Sequence, residues 1–210
     1  MRRPDIVDVS GFGRSSVAKA ALKTAAVRMP DREACAVELA NAMNRAPAAT
    51  KSALLDILAA VGGTKALQSI GAAAKSSDPT LQDVSTRLLG EWMTIDAAPV
   101  LLDLAKTTDK YAVRALRGYI RIARQFDMSQ QQRVEMCKSA LDAARQPAER
   151  KLILEVVQRY PNVEMLKLAL KAAQTPESKD DAKEAAAAIS QKVDKTDEVR
   201  QILLKAGLEK

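Results

Sequence analysis

Leucine, isoleucine and valine recur three and four residues apart through most of the chain, with polar positions between them, which is the stripe an amphipathic helix needs for packing. Alternating apolar and polar stretches rich in Val, Ile and Thr are missing, so nothing reads as a run of strands. Breakers punctuate the stripes at regular intervals. They set helix starts at Pro30/Asp31, Pro47, Gly63/Thr64, Asp78-Pro79, Asp96, Asp109, Ser129, Pro147, Asn162, Ser178 and Asp194. Most carry Asp, Ser, Thr or Asn in the capping position, or Pro at the first helical residue. Every second start falls close to 31, 63, 96, 129, 162 and 195, a period of about 33 residues.

The units between these starts also look alike. A short helix ending in a small polar turn ("GTKALQSIGAAAKSSD", "DAAPVLLDLAKTTD", "NVEMLKLALKAAQTPE") alternates with a second helix ("PTLQDVSTRLLGEWM", "KYAVRALRGYIRIARQF", "PAERKLILEVVQRY", "SKDDAKEAAAAISQKV"). No pair can bury both of its faces alone, so stability must come from stacking on neighbours. The expectation is an all-α fold, a right-handed α-solenoid of about five antiparallel helix pairs with an extra N-terminal helix. It forms one domain over residues 14–210, after a flexible lead-in at 1–13. The charged tail "KVDKTDEVRQILLKAGLEK" suits a closing cap.

These units resemble HEAT repeats, especially the short HEAT-like form, over residues 30–206. Pro99 lies in a first helix, Asp109 in the turn and Val113-Arg114 in the second helix, as the HEAT pattern has them. Asp78 and Val84 match in part, with Ser85 where the arginine would stand. The unit at 147–160 has Arg150 but no turn aspartate. The set Trp, Gly, Tyr, Ala and Pro positions of the rival tetratricopeptide pattern are missing. The stretch from "EWMTIDAAPVLLDLAK" to "VRALRGYIRIARQF" is also similar to helical-repeat segments of planctomycete-type, multi-domain bacterial proteins. What the resemblance implies is an armadillo-type scaffold for protein–protein interaction. It also implies that Asp109 and Arg114 are structural, the arginine position bonding the turn aspartate of an adjacent unit.

Charge changes the picture in one place. The chain has a net charge of +7. Residues 107–160 hold eleven Lys/Arg against six Asp/Glu, whereas residues 161–210 hold nine of each. The excess centres on "KYAVRALRGYIRIARQF". At 100° per residue, Arg114, Arg117, Arg121 and Arg124 fall within an arc of about 80°. Val113, Leu116, Tyr119, Ile120 and Ala123 lie on the opposite side. One reading is the solvated face that any amphipathic helix carries. Against it, the stripe has one sign only, whereas a face built for stability mixes Glu with Lys or Arg. Arg117, Arg121 and Arg124 are therefore the candidate partner-binding residues. In HEAT-like stacks the second helix of each pair lines the concave surface, which would then receive an acidic protein segment. Lys75, Lys106, Arg145 and Lys171 end first helices, where cations complement the helix dipole.

Candidate chemistry is sparse. The absence of histidine removes the usual general base and metal ligand. Cys35 and Cys137 occupy apolar helix positions and read as two buried thiols rather than a disulfide. "VGGTK" at 61–65 is a helix break with a C-cap glycine, not a phosphate loop. Trp92 and Asp96 are similar to the aromatic and aspartate of HEAT-like alkylpurine DNA glycosylases. Such enzymes need several aromatics to stack on a nucleotide, and the chain has one Trp, three Tyr and two Phe. Asp96 also reads as the N-cap of the helix holding Pro99, and Trp92 as packing between units. The sequence thus points to a non-catalytic scaffold without cofactor or metal, with nucleic-acid binding as the alternative. No apolar run approaches the ~18 residues that a membrane span needs. The first residues, "MRRPDIVDVSGFGRSS", have charges but no apolar core of a signal peptide. The expectation is a soluble chain, either cytoplasmic or a domain excised from a longer exported protein.

Overall fold

A computed structural model describes residues 16–208; the expected lead-in at 1–13 lies outside the described residues. Among those residues there are twelve α-helices and no strand. The chain divides between Met93 and Thr94 into two compact units, a division that the repeat period does not mark.

The first unit holds α1 (Ser16–Val27), α2 (Arg32–Arg45), α3 (Ala48–Val61), α4 (Gly63–Ala73) and α5 (Pro79–Gly90). Each helix packs on the next, and α2 packs on α4, α1 on α3 and α3 on α5. The helices thus form two rows, α2–α4 and α1–α3–α5. Leu39, Leu54, Leu55, Leu58, Ile70 and Leu89 form the core of this unit and are essentially inaccessible. Each such side chain contributes roughly 1.5–3 kcal/mol through burial.

The second unit repeats this arrangement with α6 (Ala98–Thr107), α7 (Ala112–Gln125), α8 (Gln130–Ala143), α9 (Pro147–Arg159), α10 (Val163–Ala172), α11 (Lys179–Ser190) and α12 (Asp197–Ala206). One row runs α6–α8–α10–α12 and the other α7–α9–α11. Leu101, Leu104, Leu116, Ile122, Ile153 and Leu166 are buried between them. Short 3-10 turns, Ile95–Ala97 and Pro176–Ser178, lead into α6 and α11.

Local capping explains about half of the helix starts. Asp31 accepts from the Ala34 amide at 2.9 Å, and Asp78 from Thr80 at 2.8 Å with Pro79 at the first helical position. Ser129 and Gln132 form a capping box on α8, and Asn162 accepts from the Met165 amide at 2.9 Å. Three expected starts are displaced. Asp96 is not an N-cap: it lies inside the 3-10 turn and accepts from the Thr94 hydroxyl at 3.0 Å. Asp109 lies in the turn before α7, whose N-cap is Tyr111. Asp194 is superseded by Thr196, which accepts from the Val199 amide at 3.3 Å.

Polar ties link neighbouring members of a row within each unit. Asp56 and Arg87, 31 residues apart, pair at 3.0 Å. Arg145 and Asp109, 36 apart, pair at 2.9 Å. Lys151 with Asp181 and Lys167 with Glu198 make the same step along the rows.

Candidate functional site

The site begins with what α7 buries. Ala112, Ala115, Leu116, Gly118, Tyr119, Ile120, Ile122 and Ala123 are all buried. This arc is wider than the apolar stripe alone, because α7 packs against α6, α8 and α9 together, and small residues at 112, 115 and 118 take the extra contacts. The remaining sector is narrow and carries the arginines. Arg114, Arg117 and Arg124 are exposed and Arg121 half-exposed, with Gln125 beside them. The helix contains no acidic residue.

The four arginines differ in their surroundings. Arg114 lies over the Tyr111 ring at 5.2 Å. Arg121 lies over the Phe126 ring at 5.3 Å and donates from Nη1 to Gln125 Oε1 at 3.5 Å. No described side chain pairs with Arg117 or Arg124. The guanidinium of Arg124 is free of described partners, but its carbonyl accepts from the Tyr160 hydroxyl at 2.8 Å, fixing the last turn of α7 against the end of α9.

Asp109 does not pair with Arg114. Its carboxylate accepts from Nη1 of Arg145, whose Nη2 donates to the Lys106 carbonyl at 3.3 Å. Arg145 thus belongs with the turn aspartate rather than acting only as a helix-end cation. The physical reason is reach: Arg145 lies just past the end of α8, the row neighbour of α6, and arrives at the turn after α6 from there.

Two residues of this region were not singled out by sequence. Arg133 is buried, 6 % exposed, on the apolar face of α8 beside Met136, Cys137 and Ala140. It donates to the carbonyls of Ala123 and Phe126, the latter at 3.1 Å, and lies 3.7 Å from the centre of the Tyr160 ring. The available signal was an arginine at an apolar-face position, i−3 and i−4 from Met136 and Cys137. Tyr160 gave no signal of its own, since the Arg124 carbonyl that its hydroxyl meets and the Arg133 guanidinium at its ring are both distant in sequence.

The other sequence candidates sort by their surroundings. Trp92 is buried in the first unit, 7 % exposed, whereas Asp96 of the second unit is exposed. The "VGGTK" break has Gly62 and Gly63 at φ of 72° and 86°. The Thr64 and Lys65 amides at the start of α4 are occupied by the Glu33 carboxylate, at 2.8 and 2.9 Å. An internal anion therefore holds the place that a phosphate would take. Cys35 and Cys137 are both free thiols and buried. Burial pushes the Cys137 thiol up to about 12, against a smaller opposing effect of Arg133. Burial also raises the Cys35 thiol, with the Glu38 charge adding to it. A thiol so raised is a poor nucleophile. Among the described residues no group of three or more His, Cys, Asp or Glu could hold a metal ion, and no helix is long and apolar enough to cross a membrane.

No family model, no curated protein and no solved structure matches the chain.

Proposed function

We propose that the chain is a non-catalytic, HEAT-like α-solenoid module that binds an acidic protein segment along α7, through Arg117, Arg121 and Arg124. One observation carries this reading. The row neighbours of α7 answer their own charges, as Lys151 of α9 does with Asp181 of α11, and the opposite row does the same where Lys167 of α10 meets Glu198 of α12. Every charge on the exposed sector of α7 is positive, and Arg117 and Arg124 have no described counter-ion. Like charges on neighbouring turns cost a few tenths of a kcal/mol per pair. An arrangement that costs stability is well explained by a partner that neutralises it.

The two-row packing within each unit and the recurring ties across 31 and 36 residues support the repeat reading. In the HEAT resemblance, α7 as second helix of its pair would line the concave surface. Lack of histidine and the raised thiols support a module without catalysis. In this reading Asp109 serves the inter-repeat role that the resemblance gives it, with Arg145 as its described partner.

The test is a titration of a labelled glutamate-rich peptide, DNA and RNA at ~50 and ~200 mM salt, with the natural chain and an Arg117/Arg121/Arg124→Glu variant. Peptide binding that disappears in the variant is the expected result. Nucleic-acid binding that falls roughly two decades over that range, as three or four neutralised phosphates require, would replace the protein partner by a nucleic acid. Unchanged binding in the variant would remove the site.

A further inference from the structure

Arg133 is a buried cation with no described carboxylate partner. Its guanidinium donates to the Ala123 and Phe126 carbonyls at the open end of α7. The dipole at that end is equivalent to about half a negative charge, and the Tyr160 ring lies 3.7 Å away, so the guanidinium is met by partial charges alone. Arg133 also lines a cleft of about 250 Å³ in the second unit, together with Gln130, Arg159, Tyr160 and Asn162. Arg159 is exposed and lies 5.9 Å from the Tyr160 ring. Gln130 opens α8 and Asn162 caps α10, so the amino ends of two helices form part of the wall. Each contributes a further partial positive charge. No Asp or Glu lines the cleft; Asp127, close by in sequence, is exposed. The Asn162 side chain is committed, accepting from the Met165 amide and donating to the Tyr160 carbonyl. Gln130, by contrast, has no described partner for its side chain.

We propose that this cleft is an oxyanion site that takes the carboxylate or phosphate group of one side chain of the acidic segment. Arg159 donates from the rim and Gln130 from the start of α8, with the Arg133 charge behind them. The proposal rests on α7 being the partner-binding face, because the Tyr160 hydroxyl holds the Arg124 carbonyl and so joins the cleft to the end of the arginine stripe. Arginine suits the role because its fork matches the paired oxygens of either group.

The experiment follows the 15N-labelled full chain by NMR with inorganic phosphate and with a hexaglutamate peptide as probes. Phosphate is expected to give saturable shifts at the Gln130 side-chain amide and the Arg159 Nε–H. Arg159→Gln is expected to weaken the peptide about fivefold or more. Gln130→Glu places a carboxylate in the cleft while suiting the first turn of α8, so it keeps the fold and should abolish the phosphate shifts. Unchanged peptide affinity in both variants overturns the proposal; phosphate shifts alone would then mean a free-ion site only. If Arg117→Glu and Arg124→Glu abolish peptide binding while both cleft variants leave it intact, the α7 face stands and the cleft falls. If the cleft variants weaken the peptide while charge reversal on α7 does not, the α7 face falls and the cleft stands.

Discussion

The carboxylate of Glu33 occupies the space that a side chain on Gly63 would need. A Cβ built there would lie 2.6 Å from Glu33 Oε1. Gly63 also has a φ of 86°, in the region that favours glycine. Two separate costs therefore fall on Gly63→Ala: backbone strain, and displacement of an oxygen that accepts from the Thr64 amide. Gly62, with a φ of 72°, has nothing within 4 Å of its would-be Cβ and bears only the first cost. Gly63→Ala should lower stability more than Gly62→Ala in urea unfolding. In a Glu33→Ala background the excess should shrink by about 1 kcal/mol, the coupling expected of residues in contact. Equal costs in both backgrounds would mean that the carboxylate moves aside freely.

Glu149 and Asp109 separate a buried cap from an exposed pair. Glu149 is 1 % exposed, and its Oε2 accepts from the Arg145 and Gln146 amides at 3.1 and 3.3 Å. Glu149→Ala strands two amides at the start of α9 and should cost about 1–3 kcal/mol. Asp109 pairs with Arg145 at 2.9 Å, but its side chain is almost fully exposed. Asp109→Ala should cost less than about 1 kcal/mol. Thermal unfolding of the two variants side by side checks the order; a reversed order would mean that the turn salt bridge holds the stack.

Cys137 makes stability depend on alkaline pH. Its thiol is raised from the ordinary 9.0 to about 12 by burial. Above pH 9 the unfolded chain releases this proton while the folded chain keeps it. The contribution is therefore fully present below about pH 9 and lost as pH rises toward 12, at up to about 1.4 kcal/mol per pH unit. Lys167 acts in the same direction but later. It lies between Glu164 and Glu198, each at 2.8 Å, and these hydrogen bonds raise its pKa from 10.5 to about 12. Its contribution is present below about pH 10.5 and lost as pH climbs to 12. Denaturant unfolding from pH 8 to 10 should show a decline in the natural chain that Cys137→Ala reduces most, that Cys35→Ala reduces less, since burial raises that thiol too, and that Lys167→Met leaves in place. A decline as steep in Cys137→Ala as in the natural chain would refute the assignment. At neutral pH the Cys137 thiol should react with maleimide only as fast as the fold opens.

Helix type and most helix starts were legible because their causes are local. Asp31, Asp78, Ser129 and Asn162 each bond backbone within three residues of themselves, so the sequence contains both ends of the interaction. Asp96 was misplaced because a 3-10 turn puts its carboxylate against Thr94, and Asp109 because its partner lies 36 residues on. The exposed arginine stripe was legible from angle alone. Arg133 and Tyr160 were not, since their roles depend on the carbonyls of Ala123, Phe126 and Arg124. Those carbonyls come near only when α7, α8 and α9 pack. The buried small-residue face of α7 was invisible for a related reason: Ala115 and Gly118 gain their significance from neighbours on a second side.

Arg117 separates binding from folding. It is exposed, has no described partner, and stands four residues before Arg121 and three after Arg114. Replacing it with glutamate puts an acid amino-terminal to Arg121 at the favourable i,i+4 spacing and removes two like-charge contacts. Arg117→Glu should therefore leave stability unchanged or raise it by a few tenths of a kcal/mol. Binding of an acidic peptide should fall at the same time, and its salt dependence should flatten because one cation has become an anion. A variant that is as stable as the natural chain yet binds more weakly would mark the stripe as a feature kept for a partner. A variant that loses stability would mean that the cation is answered within the fold, and the stripe would then be a structural face.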